Sequence, residues 1–200
     1  YLGVRGGRVV GLCWETFIFV LQPGPGGRAA GFVRPTALFV AQDAGDVAGC
    51  LARAEAARAA GAWIAGYVAY EAGYALEPGL AAHMPEGRRG PLVCLAAFDG
   101  PEDAGVVLAA AAAAGREVRL APVEPCVTRQ AYGAAFARVQ GFIAAGDCYQ
   151  INLTFPLASH LSGGPALGLY GALRAGQPVG YGAYVDLGVG PVVVSRSPEL

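Results

Sequence analysis

Short apolar runs rich in β-branched and aromatic residues, each closed by Gly or Pro, alternate irregularly with only a few helical segments along this chain. "VVGLCWETFIFVL" reads as strand and is broken by "QPGPGGR". "ALFVA" and "PLVCLAAFD" are further strand segments, and "WIAGYVAYEAGYALEP" reads as a strand leading into irregular chain. "GYGAYVDL" and "PVVVSRS" flank "GVG", a hairpin signal. A strict strand–helix–strand alternation is missing, so a parallel doubly wound sheet is not expected. The pattern predicts an α+β fold with mainly antiparallel sheets and packed helices.

Helices are marked by period and caps. Asp46 is expected to cap a helix running to about Ala60, with Val47, Cys50, Leu51 and Ala54 on one face and Gly61 ending it. Thr128 reads as an N-cap. After it Tyr132, Phe136, Val139 and Ile143 recur along one helical face, and Gly146 falls where a left-handed cap belongs. "SGGPALGLYGALRAG" is a shorter helix with Pro165 near its first turn. Residues 101–126 fit a helix by propensity, or two strands around a loop.

Composition excludes several chemistries. Hydrophobic residues make up 54% of 200, ample for a core, and the net charge of -1 points to neither nucleic acid nor an anionic membrane. All fourteen basic residues are Arg, so no Schiff-base or P-loop lysine is present. Abundant Ala, Gly and Arg without Lys fits a GC-rich coding bias. Cys13, Cys50, Cys94, Cys126 and Cys148 are odd in number and form no CxxC, which argues for reduced thiols, a cytoplasmic setting and no thiolate zinc site. No apolar run is long and unbroken enough to span a bilayer. Gly24, Gly26 and Gly27 are interrupted by Pro25 and read as a turn, not a phosphate loop. His83 and His160 share no metal-ligand spacing and read as surface or packing residues, and Glu71 as structural.

One stretch, "GDCYQINLTF" at 146–155, departs from the apolar background. Gln150, Asn152 and Thr154 take every second place between Tyr149, Ile151, Leu153 and Phe155. The alternation predicts a strand. An ordinary half-exposed strand is one reading; neutral carboxamides in place of charges favour a hydrogen-bonded network or a pocket wall.

The residues "FARVQGFIAAGDCYQINLTFPL" and "VVVSRSPEL" resemble two successive signatures of the chorismate-utilising enzymes, the anthranilate synthase component I family. "GYVAYEAGYALEP" followed by "FD" resembles the amino-terminal region of one branch, the aminodeoxychorismate synthases component I, including versions fused to a downstream lyase. "YQINLT" is similar to the same branch, whereas anthranilate synthases typically differ at the position of Asn152. The resemblance covers most of residues 30–200.

It implies the family's chorismate-binding fold, with residues 1–125 as the amino-terminal region and 126–200 as the start of the catalytic domain. It implies conversion of chorismate and ammonia to 4-amino-4-deoxychorismate for para-aminobenzoate and folate synthesis. The ammonia would come from a glutamine amidotransferase subunit or domain. Anthranilate synthase component I is the alternative, and a non-catalytic remnant that docks an amidotransferase is another. Glu199 matches the family's Ser-Pro-Glu acid, which protonates the departing hydroxyl. Gln150, Asn152 and Thr154 would sit on the active-site sheet, hydrogen-bonded and turned from water. An aromatic amino-acid effector site would involve Gly180, Tyr181 and Gly182, with Glu15 and Thr16 a faint match to its acid–hydroxyl pair and Pro178 displaced from the expected place. The family's Mg²⁺ glutamates, reactive Lys and substrate-binding Arg and Tyr would lie downstream. The chain is therefore expected to be a fragment that binds no metal and aminates nothing alone.

Overall fold

The computed structural model describes residues 18–197. Strand β1 (Ile18–Gln22), a 3-10 turn at Pro25–Gly27, β2 (Ala30–Val33) and β3 (Ala37–Ala41) precede helix α1 (Ala44–Ala59). Next come β4 (Trp63–Val68), the short helix α2 (Ala72–Leu76), a 3-10 stretch at Pro78–His83 and β5 (Val93–Phe98). Then follow β6 (Glu102–Asp103), α3 (Gly105–Gly115), β7 (Arg119–Leu120), β8 (Glu124–Pro125) and α4 (Arg129–Ala145). Strands β9 (Leu157–Ala158) and β10 (Leu161–Gly163), helix α5 (Ala166–Gly176), and strands β11 (Tyr181–Asp186) and β12 (Val193–Ser197) complete the order. Among the described residues every strand pairing is antiparallel, in line with the mainly antiparallel sheets expected from the sequence.

The chain divides into two compact units. One runs to Val118 and resumes at Gly164; the other is Arg119–Gly163. The regions drawn at 125/126 from the resemblance do not coincide with these units, because β11 pairs with β1 in one sheet.

In the first unit a five-stranded sheet, ordered β12-β11-β1-β2-β6, faces a three-stranded sheet, ordered β3-β5-β4. Phe32, Ala65, Cys94, Ala96, Phe98 and Val185 fill the space between them. Strand β5 shows why a continuous apolar run is needed here. Cys94, Ala96 and Phe98 point to the facing sheet, while Val93 and Ala97 point the other way, onto Val47, Cys50 and Ala54 of α1. The outer face of the five-stranded sheet is covered by α3 and α5, with Val20, Ala111, Tyr170 and Tyr184 buried together.

Helix α1 buries the expected Val47, Cys50 and Ala54, with Leu51 packed against their cluster, and Gly61 follows at φ +103°. The N-cap is Asp43, not Asp46. Asp46 sits in the first turn, where a carboxylate still complements the exposed N–H groups of the helix end. The irregular chain expected after β4 contains α2, and the ambiguous segment holds α3 between two-residue strands. Residues 188–190 lie in the β11–β12 hairpin connection, with Gly188 and Gly190 at φ 66° and 76° and the Gly188 N–H donating to Asp186 Oδ1 at 3.1 Å.

The second unit centres on α4. Thr128 caps it, its Oγ1 accepting from the Ala131 N–H at 3.1 Å, and Gly146 ends it at φ 80°. Two ribbons accompany it, β7 with β10 and β8 with β9. No residue between 119 and 163 is buried. The expected strand at 148–157 is corrected: residues 148–156 form no regular element, and β9 holds only Leu157 and Ala158. Gln150, Asn152 and Thr154 are exposed, and so are Tyr149, Ile151 and Phe155. The physical reason is the backbone. Among the described residues no neighbouring strand pairs with 148–156, and without a ladder the alternation has no face to define.

Candidate functional site

Strand registry in the first unit sets up a row of three residues. Gln22 at the end of β1 stands opposite Gly182 of β11, and Gly182 stands opposite Arg196 of β12. Gly182 leaves the middle of this row open. A Cβ there would come within 2.5 Å of Arg196 Nη1, so the guanidinium occupies the room a side chain would need. Helix α5 supplies the next layer. Tyr170 and Arg174, four residues apart, project from one face. The Tyr170 hydroxyl donates to Gln22 Oε1 at 2.5 Å, and Arg174 Nε donates to the same oxygen at 3.2 Å. Arg196 lies 6.0 Å from the Tyr170 ring centroid and donates from Nη2 to the Gln177 carbonyl at 2.9 Å.

A cleft of about 460 Å³ opens at this end of the sheet, lined by Gln22, Pro23, Arg174, Pro178, Gly180 and Arg196 among others. Among the described residues its wall contains no carboxylate side chain. Neither Arg174 nor Arg196 is ion-paired among the described residues. Burial pushes the Tyr170 phenol above its ordinary value, and the positive charges of Arg196 and Arg174 pull it back in part. Burial also raises Tyr184, on the same outer face of the sheet, and Asp186 adds to that rise. Both phenols therefore stay protonated at neutral pH, and the Tyr170 hydroxyl acts as a donor.

Of the residues picked out in the sequence, Gly180 lines the cleft, while Tyr181 is 61% exposed and Gly182 lies against the Arg196 side chain. Gln150, Asn152 and Thr154 belong to the second unit and face solvent, which overturns the expectation that they are turned from water. Glu199, Glu15 and Thr16 lie outside the described residues; β12 reaches Ser197, two residues before Glu199. Glu71 is half-buried at the start of α2, and His83 and His160 are exposed. Sequence reading passed over Gln22, Tyr170, Arg174 and Arg196. The available signal was a Tyr and an Arg at helical spacing in a segment otherwise built of Ala, Gly and Leu, and one Arg inside a Val-rich strand.

Among the described residues no group of three or more His, Cys, Asp or Glu side chains comes together to hold a metal ion. The side chains described there bring together no carboxylate set that fits Mg²⁺. None of the described helices is long and apolar enough to cross a membrane.

Residues 30–200 match the family described as chorismate binding enzyme. A stretch of 72 residues is 44% identical to anthranilate synthase component 1 of Thermus thermophilus. It takes in 36% of this chain and 15% of that relative's length. No solved structure matches the chain. A match that runs through both compact units and includes the "SRSPEL" segment leaves one assignment: the chain belongs to the chorismate binding enzyme family.

Proposed function

We propose that the chain is part of an enzyme that replaces the 4-hydroxyl of chorismate with an amino group, giving 4-amino-4-deoxychorismate for para-aminobenzoate synthesis. The family match over residues 30–200 carries this reading, because it includes Ser197, Pro198 and Glu199 after a paired strand. Hydroxide is a poor leaving group, so its oxygen needs a proton as the C–O bond breaks. Glu199 is assigned as that proton donor. A carboxyl group can do this only while protonated, which a desolvated site favours. "YQINLT" and "GYVAYEAGYALEP" support the aminodeoxychorismate branch. Ammonia would be delivered by a glutamine amidotransferase subunit or domain, and Mg²⁺ would be held by carboxylates other than those described above. A fused lyase and a cytoplasmic setting complete the reading.

A second reading is favoured by a specific observation: the relative with 44% identity is named anthranilate synthase component 1. The two separate cleanly in one assay. The full-length protein is incubated with chorismate, Mg²⁺ and ammonium, and the products are separated. A product that an aminodeoxychorismate lyase converts to para-aminobenzoate supports the proposal. Fluorescent anthranilate establishes the second reading. Absence of either product, with chorismate unbound, favours a non-catalytic docking module. Glutamine-dependent turnover by the polypeptide without a glutaminase domain would contradict the assigned nitrogen supply.

By resemblance, Gly180, Tyr181 and Gly182 would belong to an aromatic amino-acid effector site. Such a ligand carries an ammonium group that needs an acceptor as well as a carboxylate that needs donors.

A further inference from the structure

We propose that two Gly-Pro pairs, Gly90-Pro91 and Gly190-Pro191, form a clasp that anchors the start of β12 and so positions the strand that leads into the Ser-Pro-Glu segment. The part played by Glu199 rests on the amination reading above; the clasp itself does not.

Strand β12 is the outermost strand of its sheet and pairs only with β11 among the described residues. The connection between them, residues 187–192, is longer than the tight turns that set a register by themselves. It also holds two glycines at positive φ, Gly188 and Gly190. A slip of two residues along β11 would keep each side chain on its own face and carry the Ser197 backbone about 7 Å. Contacts made by the connection oppose any such movement. It is folded onto the three-stranded sheet, with Leu187 buried and Val189 packed into the core between the sheets. Tyr67 and Cys94, paired across β4 and β5, stand against it. The Cys94 thiol donates weakly to the Val189 carbonyl at 3.8 Å. The two Gly-Pro pairs then meet reciprocally. Pro191 lies over Gly90, where a Cβ would stand 2.7 Å from its Cδ. Pro91 lies over Gly190, where a Cβ would stand 2.6 Å from its Cδ and 2.9 Å from Tyr67 Oη. Each ring occupies the room that the other pair's missing side chain leaves. Pro91 is fully buried, and a pyrrolidine ring has no rotamer by which to step aside. Each pair also stands just before a strand, Pro91 before β5 at Val93 and Pro191 before β12 at Val193. The clasp thus ties the start of β12 to the start of β5, in the middle of the three-stranded sheet. Arg196, donating to the Gln177 carbonyl, holds the far end of β12. Anchoring matters because a displacement of about 1 Å at a reacting group can cost about 10²-fold in rate.

Gly90→Ala tests the clasp, because its Cβ must push Pro191 away, and Pro191→Ala removes the ring that it meets. In the full-length protein, with chorismate, Mg²⁺ and ammonium, Gly90→Ala should lower kcat about tenfold or more while KM changes less than about twofold. The Gly90→Ala/Pro191→Ala double variant should recover most of that loss. Amide hydrogen exchange in the same three proteins reads the strand without any turnover. The β12 amides bonded to β11 should exchange about tenfold faster in Gly90→Ala and return toward the parent rate in the double variant, while those of α1 stay unchanged. Unchanged β12 exchange in Gly90→Ala, or no recovery in the double variant, would overturn the clasp. Exchange faster throughout the unit by the factor lost from kcat, or a raised KM with kcat kept, would make the contact merely structural and overturn the positioning role. A parent protein that converts no chorismate would instead refute the amination reading and the role of Glu199 with it, and β12 exchange would still decide the clasp.

Discussion

Replacing Gly171 by Ala sets two physical effects against each other at one atom. In an exposed helix interior this change stabilises by roughly 0.5–1 kcal/mol, because Gly has more backbone freedom to lose. Gly171 is instead buried on the face of α5 that packs on α3, and a Cβ there would run into the Ala111 carbonyl group. The obstacle is backbone, so no rotamer change relieves it. The helices must separate, and neighbouring contacts are already close: a Cβ at Gly168 would stand 2.8 Å from the Ala114 oxygen, and one at Gly115 3.0 Å from the Ala172 nitrogen. Separation loosens the packing of Tyr170 and Ala111, both fully buried. Overpacking of this kind costs about 1–3 kcal/mol, and a rigid obstacle belongs near the upper end. Subtracting the propensity gain leaves a net loss of about 2 kcal/mol. At roughly 2–4 °C per kcal/mol for a chain of this size, the melting temperature should fall by about 4–8 °C. Gly49→Ala is the control within the same unit. It lies exposed on α1, where the nearest atom to a new Cβ is Arg53 Nη1 at 3.7 Å, and it should stabilise. Urea denaturation followed by circular dichroism measures both. A Gly171→Ala midpoint equal to or above that of the parent would refute the close helix approach.

Thr128→Ala should remove the cap on the Ala131 N–H and cost about 1 kcal/mol in α4, seen as faster amide exchange at Ala131 and restored by Thr128→Ser. Cys126 is exposed and should react with a thiol reagent in the folded chain, whereas buried Cys50 and Cys94 should react only on unfolding; burial raises both thiols, that of Cys94 to about 11. The unfolded chain releases the Cys94 proton near 9 and the folded chain holds it to about 11, so the contribution is intact below pH 9 and stability should decline across that window, less steeply in Cys94→Ala. Asn152→Ala, at an exposed position outside regular structure, should change the stability of this chain by less than about 0.5 kcal/mol. Glu199→Gln in the full-length protein should lower turnover by about 10²-fold or more while chorismate still binds, if the carboxyl is the proton donor.

The regular elements were legible where their signals are local and agree with one another. "ALFVA" is β3 to the residue, and the apolar stripe Val47, Cys50 and Ala54 is the buried face of α1. Thr128 and Gly146 bound α4 because each supplies what a helix end lacks, an acceptor for a free N–H and a left-handed residue. The misplaced cap has a plain cause: Asp43 and Asp46 are both acceptable acids at that start, and a difference of three residues is finer than propensity can separate. The cleft was not legible. Gln22 and Arg174 are 152 positions apart, and nothing local in either segment announces the other. Their meeting depends on the β1–β11 register and on α5 covering that sheet, which are tertiary facts.

The segment at 148–156 shows what a period of two does and does not say. Alternation states where side chains would go if another strand took up the backbone N–H and C=O groups. It does not state that such a strand is there. Here the flanking backbone bond runs from the Cys126 N–H to the Pro156 carbonyl at 2.9 Å, and the β8–β9 pairing beyond it holds only Glu124–Ala158 and Pro125–Leu157. Tyr149 is left 93% exposed, and Tyr132 meets Phe155 edge-on at 5.2 Å. A stretch that carries both an apolar alternate set and a neutral polar alternate set, yet buries neither, is conditionally a strand: its order depends on a β partner for its backbone. That condition separates it from α5 and β11, whose patterns are satisfied inside their own unit by Tyr170, Tyr184 and Val20. Gln22, Tyr170, Arg174 and Arg196 are ordered by a paired sheet and a packed helix, while Gln150 and Asn152 of "YQINLT" stand exposed outside regular structure.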